Sequence, residues 1–124
     1  MLAKVKWIKR IRFGCDTLSQ IGDCERAISL IDKYGYKGEY FFYCILMNSF
    51  KESFERINHW RIKGRRFLPF CQPYRDINNP KQIIPQWQKD LASWVDKKWI
   101  FKVCEFKDFE PRKGFKCKQY FNLK

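Results

Sequence analysis

The sequence predicts a small α/β domain built on a three-stranded, mostly parallel sheet with flanking helices. Three observations favour this fold class: short apolar runs alternate with stretches of helical periodicity, two capping sequences mark helix starts, and the strands recur at intervals of about 30 residues. An interval of that length accommodates a right-handed crossover that returns the chain to the same sheet. We therefore expect a single domain over residues 1–124.

The first strand and helix are predicted from a change in periodicity. Residues 9–16 alternate polar and apolar side chains, which indicates a half-buried strand with one face formed by Ile11, Phe13 and Cys15. Residues 17–20, Thr-Leu-Ser-Gln, have the spacing of a capping box. A helix is expected near 18–34, and Gly35 ends it.

The second strand and helix follow the same order. Residues 40–47 form an apolar run without alternation, which predicts a strand near 39–47 that is covered on both faces. Residues 49–52, Ser-Phe-Lys-Glu, form a second capping box ahead of a helix near 50–63.

The remainder predicts one further strand, a loop, a helix and a tail. Residues 66–71 read as a strand that Pro69 restricts to an edge or a bulge. A loop rich in Pro, Asn and Asp follows, and Pro85 can open a third helix with the apolar face Trp87, Leu91, Trp94 and Val95. Residues 101–124 form a basic, aromatic tail without a clear secondary structure.

The charge is strongly positive, because 26 Lys and Arg residues outnumber 13 acidic residues, for a net charge of +13. Such a charge attracts polyanions or acidic protein surfaces, although a solvated basic surface is the alternative interpretation. Three clusters carry much of it: Lys4, Lys6, Lys9, Arg10 and Arg12; Arg61, Lys63, Arg65 and Arg66; and Arg112, Lys113, Lys116, Lys118 and Lys124.

The six cysteines are isolated and mostly lie in apolar runs, so they are expected to be small core residues rather than disulfide partners. No C-x-x-C pair occurs, and His59 stands in a helical pattern, so neither a metal site nor a cofactor is predicted. No apolar stretch approaches the roughly 20 residues of a membrane span. The N-terminal residues also lack the apolar core of a signal peptide, so the expected location is the cytoplasm.

Four stretches together resemble a known family. They are residues 12–17 (RFGCDT), 70–76 (FCQPYRD), 84–90 (IPQWQKD) and 106–117 (FKDFEPRKGFKC). In this order they resemble the C-terminal half of a group of radical S-adenosylmethionine proteins from bacteria and their phages, over about residues 8–121.

This resemblance implies half of a partial (βα)6 barrel, namely its last three strands. Family members hold a [4Fe–4S] cluster in a C-x-x-x-C-x-x-C loop, and the cluster needs three thiolates that converge on it. This sequence lacks that loop: its two cysteines closest in sequence are Cys15 and Cys24. We therefore expect a truncated, non-catalytic relative without a cofactor.

The strand ends are the second candidate site, because ligands of parallel α/β sheets bind beyond the carboxyl ends of the strands. The predicted ends offer Asp16, Asn48, Gln72, Tyr74, Arg75 and Asp76. In a family member this rim would face the cofactor and substrate. The alternative is structural, with Asp16 as a helix cap and an ion pair inside the 72–76 loop.

Two functional hypotheses follow. The first is a non-catalytic basic binding protein, whose partner is an acidic protein surface or a nucleic acid, RNA rather than DNA, and not a membrane. A phage-type inhibitor of a nucleic-acid-handling host defence protein, such as a CRISPR effector, would fit this description in a bacterial host or phage-infected cell.

The second hypothesis is a C-terminal fragment or subunit of a split radical S-adenosylmethionine enzyme, whose partner carries the cluster. The open edge of the first strand could also pair two copies as a homodimer. In the tail, Phe109, Phe115, Tyr120 and Phe121 could stack on bases of a single strand, although core packing is expected for at least two of these rings.

Overall fold

A computed structural model describes residues 10–46 and 49–122. Its elements are β1 (Arg10–Gly14), α1 (Ser19–Lys33), β2 (Glu39–Leu46), α2 (Phe50–Lys63), β3 (Phe67–Pro73), α3 (Gln86–Asp96) and α4 (Lys98–Phe101), followed by 3₁₀ turns at Phe106–Asp108 and Cys117–Asn122. The predicted α/β class is confirmed, with each predicted strand and helix present. Among the residues named above, Lys4, Lys6, Lys9, Asn48 and Lys124 lie outside the described ranges.

The three strands form one parallel sheet in the order β1-β2-β3. Phe42 lies at the centre, paired in register with Phe13 of β1 and Pro69 of β3. The carbonyl of Arg66 and the amide of Tyr74 bond to β2 at either end of β3. Alternation along β3 therefore turns the backbone of Pro69 away from β2, so its missing N–H interrupts no ladder bond.

Both α1 and α2 pack against the same face of the sheet. This helix-covered face buries Tyr40, Phe42, Cys44 and Leu46 of β2. Trp60 of α2 stacks on Phe42, with the ring centroids 4.0 Å apart. Two right-handed crossovers that advance in one direction along the sheet place both helices on one side.

The opposite face corrects the prediction that β2 is covered on both sides. Burial alternates along the strand, and Tyr43 keeps 44% of its surface exposed. We call this side the open face. Its residues point away from α1 and α2: Arg10, Arg12 and Gly14 of β1; Glu39, Phe41, Tyr43 and Ile45 of β2; and Leu68, Phe70 and Gln72 of β3.

The two predicted capping boxes behave differently. The Ser49 side chain accepts a hydrogen bond from the amide of Glu52 at 3.1 Å, so α2 begins as predicted. At α1 the predicted cap is wrong: the helix begins at Ser19 without a side-chain cap, and the Thr17 hydroxyl bonds to the Ser19 hydroxyl instead. The Gln20 side chain reaches back to the amide of Asp16.

The free edge of β3 is closed by the residues at the end of α3 and the start of α4. Asp96 accepts a hydrogen bond from the amide of Cys71 at 2.9 Å, and the Lys98 ammonium donates to the carbonyl of Pro69. The tail packs onto α3 through Asp90, which accepts two bonds from the Arg112 guanidinium and one from the Tyr120 hydroxyl. The tail is therefore part of the folded domain.

Candidate nucleic-acid interface

The strand-end rim is tied together by hydrogen bonds within the sheet. Asp16 Oδ1 accepts from the amide of Ile45 at 2.9 Å, which links the ends of β1 and β2. Below it, the buried guanidinium of Arg56 donates to the carbonyls of Cys15 at 2.7 Å and Ile45 at 3.0 Å. Asp16 therefore fastens two strands together, which corrects the interpretation of its side chain as a helix cap.

The loop after β3 is held by an amide side chain rather than by the predicted ion pair. Gln82 accepts from the amide of Asp76 at 2.6 Å and donates to the carbonyl of Tyr74 at 3.0 Å. The Asp76 carboxylate accepts from the amide of Asn78, so it turns away from a pairing with Arg75. The other predicted rim side chains, Gln72, Tyr74 and Arg75, are exposed.

The cysteines fill the core, as predicted, except that Cys104 is half-buried. Cys15, Cys44 and Cys71 lie across the helix-covered face at the ends of the three strands, and Cys44 is in register with Cys71. The contact with Cys44, together with burial, raises the pKa of the Cys15 thiol well above its usual range. Burial also raises the pKa of Cys24 to about 12. Within 10–46 and 49–122, no group of His, Cys, Asp and Glu side chains has the geometry to hold a metal ion.

The second basic cluster is mostly engaged in internal contacts. Arg61, only 15% exposed, donates to the carbonyls of Phe101 and Cys104 and to the Glu105 carboxylate. Arg66 donates to the carbonyls of Gly38 and Tyr36 and to Asp32. Both guanidiniums therefore bind the fold itself, although Arg66 keeps 38% of its side chain exposed. A role of either residue in binding a partner stays a prediction.

The Glu25 carboxylate of α1 joins that helix to α2. It accepts from the Lys63 ammonium at 2.6 Å and lies 2.9 Å from His59 Nε2. Although partial burial raises the pKa of Glu25, the bonds from Lys63 and His59 outweigh it and lower that pKa overall. His59 therefore acts as a structural residue between two helices. Arg65 is the member of the second cluster that is exposed and makes no ion pair with a described residue.

The first and third clusters each retain unpaired cations. Arg10 pairs with Glu39 at 3.1 Å. Arg12, two residues further along β1, is exposed and makes no ion pair with a described residue. In the tail, Arg112 is held by Asp90, while Lys113 and Lys116 are exposed.

The open face carries an aromatic group that the sequence reasoning missed. Phe41 stacks on Phe70 with ring centroids 5.8 Å apart, and Tyr43 meets both rings edge-on at 4.9 and 6.2 Å. We call Phe41, Tyr43 and Phe70 the aromatic platform. Tyr43 is 44% and Phe70 37% exposed. The guanidinium of Arg10 lies 5.1 Å from the centroid of Phe41.

The platform depends on residue spacing within β2 and on the register between β2 and β3, and only the spacing is visible in the sequence. Phe41 and Tyr43 are two residues apart on β2, and Phe70 is paired in register with Tyr43. An unbroken apolar run hides this periodicity, because aromatic residues also occupy the buried positions between them.

The tail aromatics divide as the sequence suggested. Phe109 and Tyr120 are buried, at 8% and 9% exposed, and Phe115 is half-buried against Tyr120. Phe121 is 46% exposed and packs edge-on against Phe50 and Phe54. At least two of the four rings therefore serve the core.

Comparison with known proteins gives no relative: no family model, no curated protein and no solved structure matches the chain. None of the helices in the described parts of the chain is long and apolar enough to span a membrane.

Proposed function

We propose that this protein is a non-catalytic binding protein that holds single-stranded RNA on the open face of its sheet. The observation that carries the proposal is the aromatic platform of Phe41, Tyr43 and Phe70, which presents partly exposed rings on the open face beside Arg12. Proteins that bind single strands combine such rings, on which bases stack, with a positive surface that follows the backbone.

The electrostatics support an anionic partner. The chain carries a net charge of +13. Arg61, Arg66 and Arg112 make internal ion pairs, but other cations are exposed and unpaired among the described residues. Arg12 and Arg65 are exposed and have no acidic partner among the described residues. Phosphates would neutralise such cations and release bound counterions, which favours association. An acidic protein surface is the competing partner, and the partly exposed rings favour a nucleic acid because every base offers a face that stacks on an aromatic side chain.

The strand-end rim gives less support to the split-enzyme hypothesis. Asp16 is bonded to the amide of Ile45, and the loop after β3 is held by Gln82, so these parts of the rim serve the fold itself. A radical S-adenosylmethionine ancestry stays a proposal that rests on the sequence motifs. In that ancestry the open face would correspond to the side of the strands turned toward the barrel interior.

Inhibition of a nucleic-acid-handling defence protein is a narrower form of the same proposal. A basic protein with a single-strand platform would compete for the RNA of such an effector. Its test is whether the Tyr43→Ala variant loses inhibition together with RNA binding.

The direct test measures binding of a fluorescein-labelled octaadenylate by fluorescence anisotropy. Tyr43→Ala and Phe70→Ala should each weaken binding by about 1–3 kcal/mol, because each removes a ring on which a base stacks. Tyr34→Ala is the matched control, since Tyr34 is 47% exposed at the end of α1 and lies outside the sheet and the aromatic platform.

Binding should also weaken as salt rises, by about 0.7 in the logarithmic slope for each phosphate contact. The all-deoxy octamer should bind more weakly if the 2′-hydroxyls contribute. Absence of RNA binding by the wild-type protein, or equal losses for Tyr43→Ala and Tyr34→Ala, would refute the proposal.

A further inference from the structure

A cavity of about 180 Å³ lies at the N-terminal end of β3, where the end of α2 and the end of α4 meet that strand. Its lining comes from the end of α2, the α2–β3 turn, β3 and α4, and consists of Arg61, Gly64, Arg65, Phe67, Leu68, Phe101 and Lys102. Three of these side chains are cationic and none is acidic. The cavity therefore suits an anion rather than a cation.

The three cations have different roles. The Nε, Nη1 and Nη2 atoms of Arg61 each donate to the protein, to the carbonyls of Phe101 and Cys104 and to Glu105. Arg61 therefore supplies positive charge to the cavity, while its hydrogen-bond donors serve the fold. Arg65 and Lys102 are exposed, and neither makes an ion pair or a side-chain hydrogen bond with a described residue. Their donors are available to a ligand oxygen, and phosphate oxygens accept from both residue types.

Leu68, which is only 4% exposed, lies beneath the surface between this cavity and the aromatic platform. It lines the cavity and is also paired in register with Phe41, which is in turn paired with Arg12. Neighbouring strands lie about 4.8 Å apart, so the row from Arg12 through Phe41 to Leu68 spans about 10 Å across the sheet. Cations therefore flank the rings at both ends of this row: Arg12 at one end, and Arg65 with Lys102 at the other.

From this arrangement we infer that the cavity is a phosphate site, and that the single strand crosses the sheet perpendicular to the β-strands. This inference rests on the proposed function and assigns it a path. Bases stack on Phe41, Tyr43 and Phe70 in the middle, while one backbone phosphate meets Arg12 and another meets Arg65 and Lys102. The aromatic platform supplies stacking, and the cavity supplies the charge that fixes where the strand leaves the sheet.

The test combines removal of Arg65 and Lys102 with a salt titration of octaadenylate binding from about 50 to 200 mM. The double variant Arg65→Ala with Lys102→Ala should lower the affinity by roughly fivefold to twentyfold at about 100 mM salt. It should also reduce the slope by about 0.7 for each phosphate that no longer meets a cation. Phe70→Ala should lower the affinity and leave the slope unchanged, because a ring releases no counterions.

The matched control is Lys113→Ala with Lys116→Ala, which removes the same charge from two exposed tail residues. A control loss equal to that of the cavity variant would overturn the phosphate site and leave general attraction as the cause. If the cavity variant binds with wild-type affinity and slope while Phe70→Ala is impaired, the path is wrong and the proposed function stands. If wild-type protein fails to bind, the proposed function itself fails. Circular dichroism and thermal unfolding show that each variant is folded before binding is compared.

Discussion

At the scale of single residues, arginines are the side chains whose role depends most on tertiary contacts. Arg56 is fully buried, and its guanidinium reaches Cys15, Ile45 and Glu52. Arg61 is nearly buried against Trp94 and Phe101. Replacing such a residue leaves bonded carbonyls and carboxylates without their donor, so it would test stability rather than binding. Exposed Arg12 and Arg65 are the informative sites for binding.

Asp96 provides a pH-dependence prediction at this scale. Burial raises the pKa of its carboxyl group from 3.8 to about 6, although the Cys71 amide and Lys98 favour the charged form. The folded state therefore holds this proton more tightly than the unfolded state. Stability attributable to Asp96 is full below about pH 4 and falls as the pH rises toward and through 6.

Asp96→Asn keeps an oxygen that can accept from the Cys71 amide and carries no charge. We expect it to match the wild-type protein at pH 4 and to exceed its free energy of unfolding by up to about 3 kcal/mol at pH 7.5, measured by urea unfolding at both pH values. Exposed Asp108 supplies the control, as Asp108→Asn should show no such pH-dependent gain. A wild-type protein more stable than Asp96→Asn at pH 7.5 would show that the Cys71 amide and the charge of Lys98 outweigh burial.

At the scale of secondary-structure elements, the two capping sequences make a matched pair. Ser49 caps α2 through the amide of Glu52, whereas the side chain of Thr17 caps no helix amide and bonds to the Ser19 hydroxyl. Ser49→Ala should therefore cost about 1 kcal/mol of stability, and Thr17→Ala should change it by less than about 0.5 kcal/mol. Chemical denaturation of both variants is the measurement, and equal losses would contradict the assignment of a single functioning cap.

The failure of the first cap has a local cause. The chain leaving β1 is held by Asp16, whose carboxylate bonds to Ile45 and whose amide bonds to Gln20. These contacts fix the backbone one residue before Thr17 and shift the start of α1 to Ser19. A four-residue capping pattern predicts where a helix can start from local sequence alone. It cannot predict a competing hydrogen bond from a neighbouring strand.

At the scale of the whole molecule, the positions of the cysteines lead to a prediction about metal content. Cys15, Cys24, Cys44 and Cys71 are buried in the core that α1 and α2 cover, and their environment raises the pKa of the Cys15, Cys24 and Cys44 thiols. An iron–sulfur cluster needs accessible thiolates, so anaerobic reconstitution with iron and sulfide should leave the protein colourless. Metal analysis that finds about four irons or one zinc per chain would contradict this assignment.

The sequence by itself determined the order of elements, the parallel sheet and the burial of most cysteines. These features follow from local hydrophobic periodicity and from the limits on crossover connections, and short stretches of sequence are enough to show both. Strand boundaries shifted by a few residues, as for β3, which extends to Pro73 rather than Cys71.

Only the tertiary structure decided which cations are free and which face of the sheet is open. Arg61 and Arg65 are four residues apart and look alike in the sequence, yet Arg61 is bonded into the fold, whereas Arg65 is exposed and makes no ion pair with a described residue. Likewise, the apolar run of β2 does not distinguish buried Phe42 from partly exposed Tyr43. Burial and ion pairing depend on contacts with residues that are distant along the chain. Those contacts form when α1, α2 and α3 pack against the sheet.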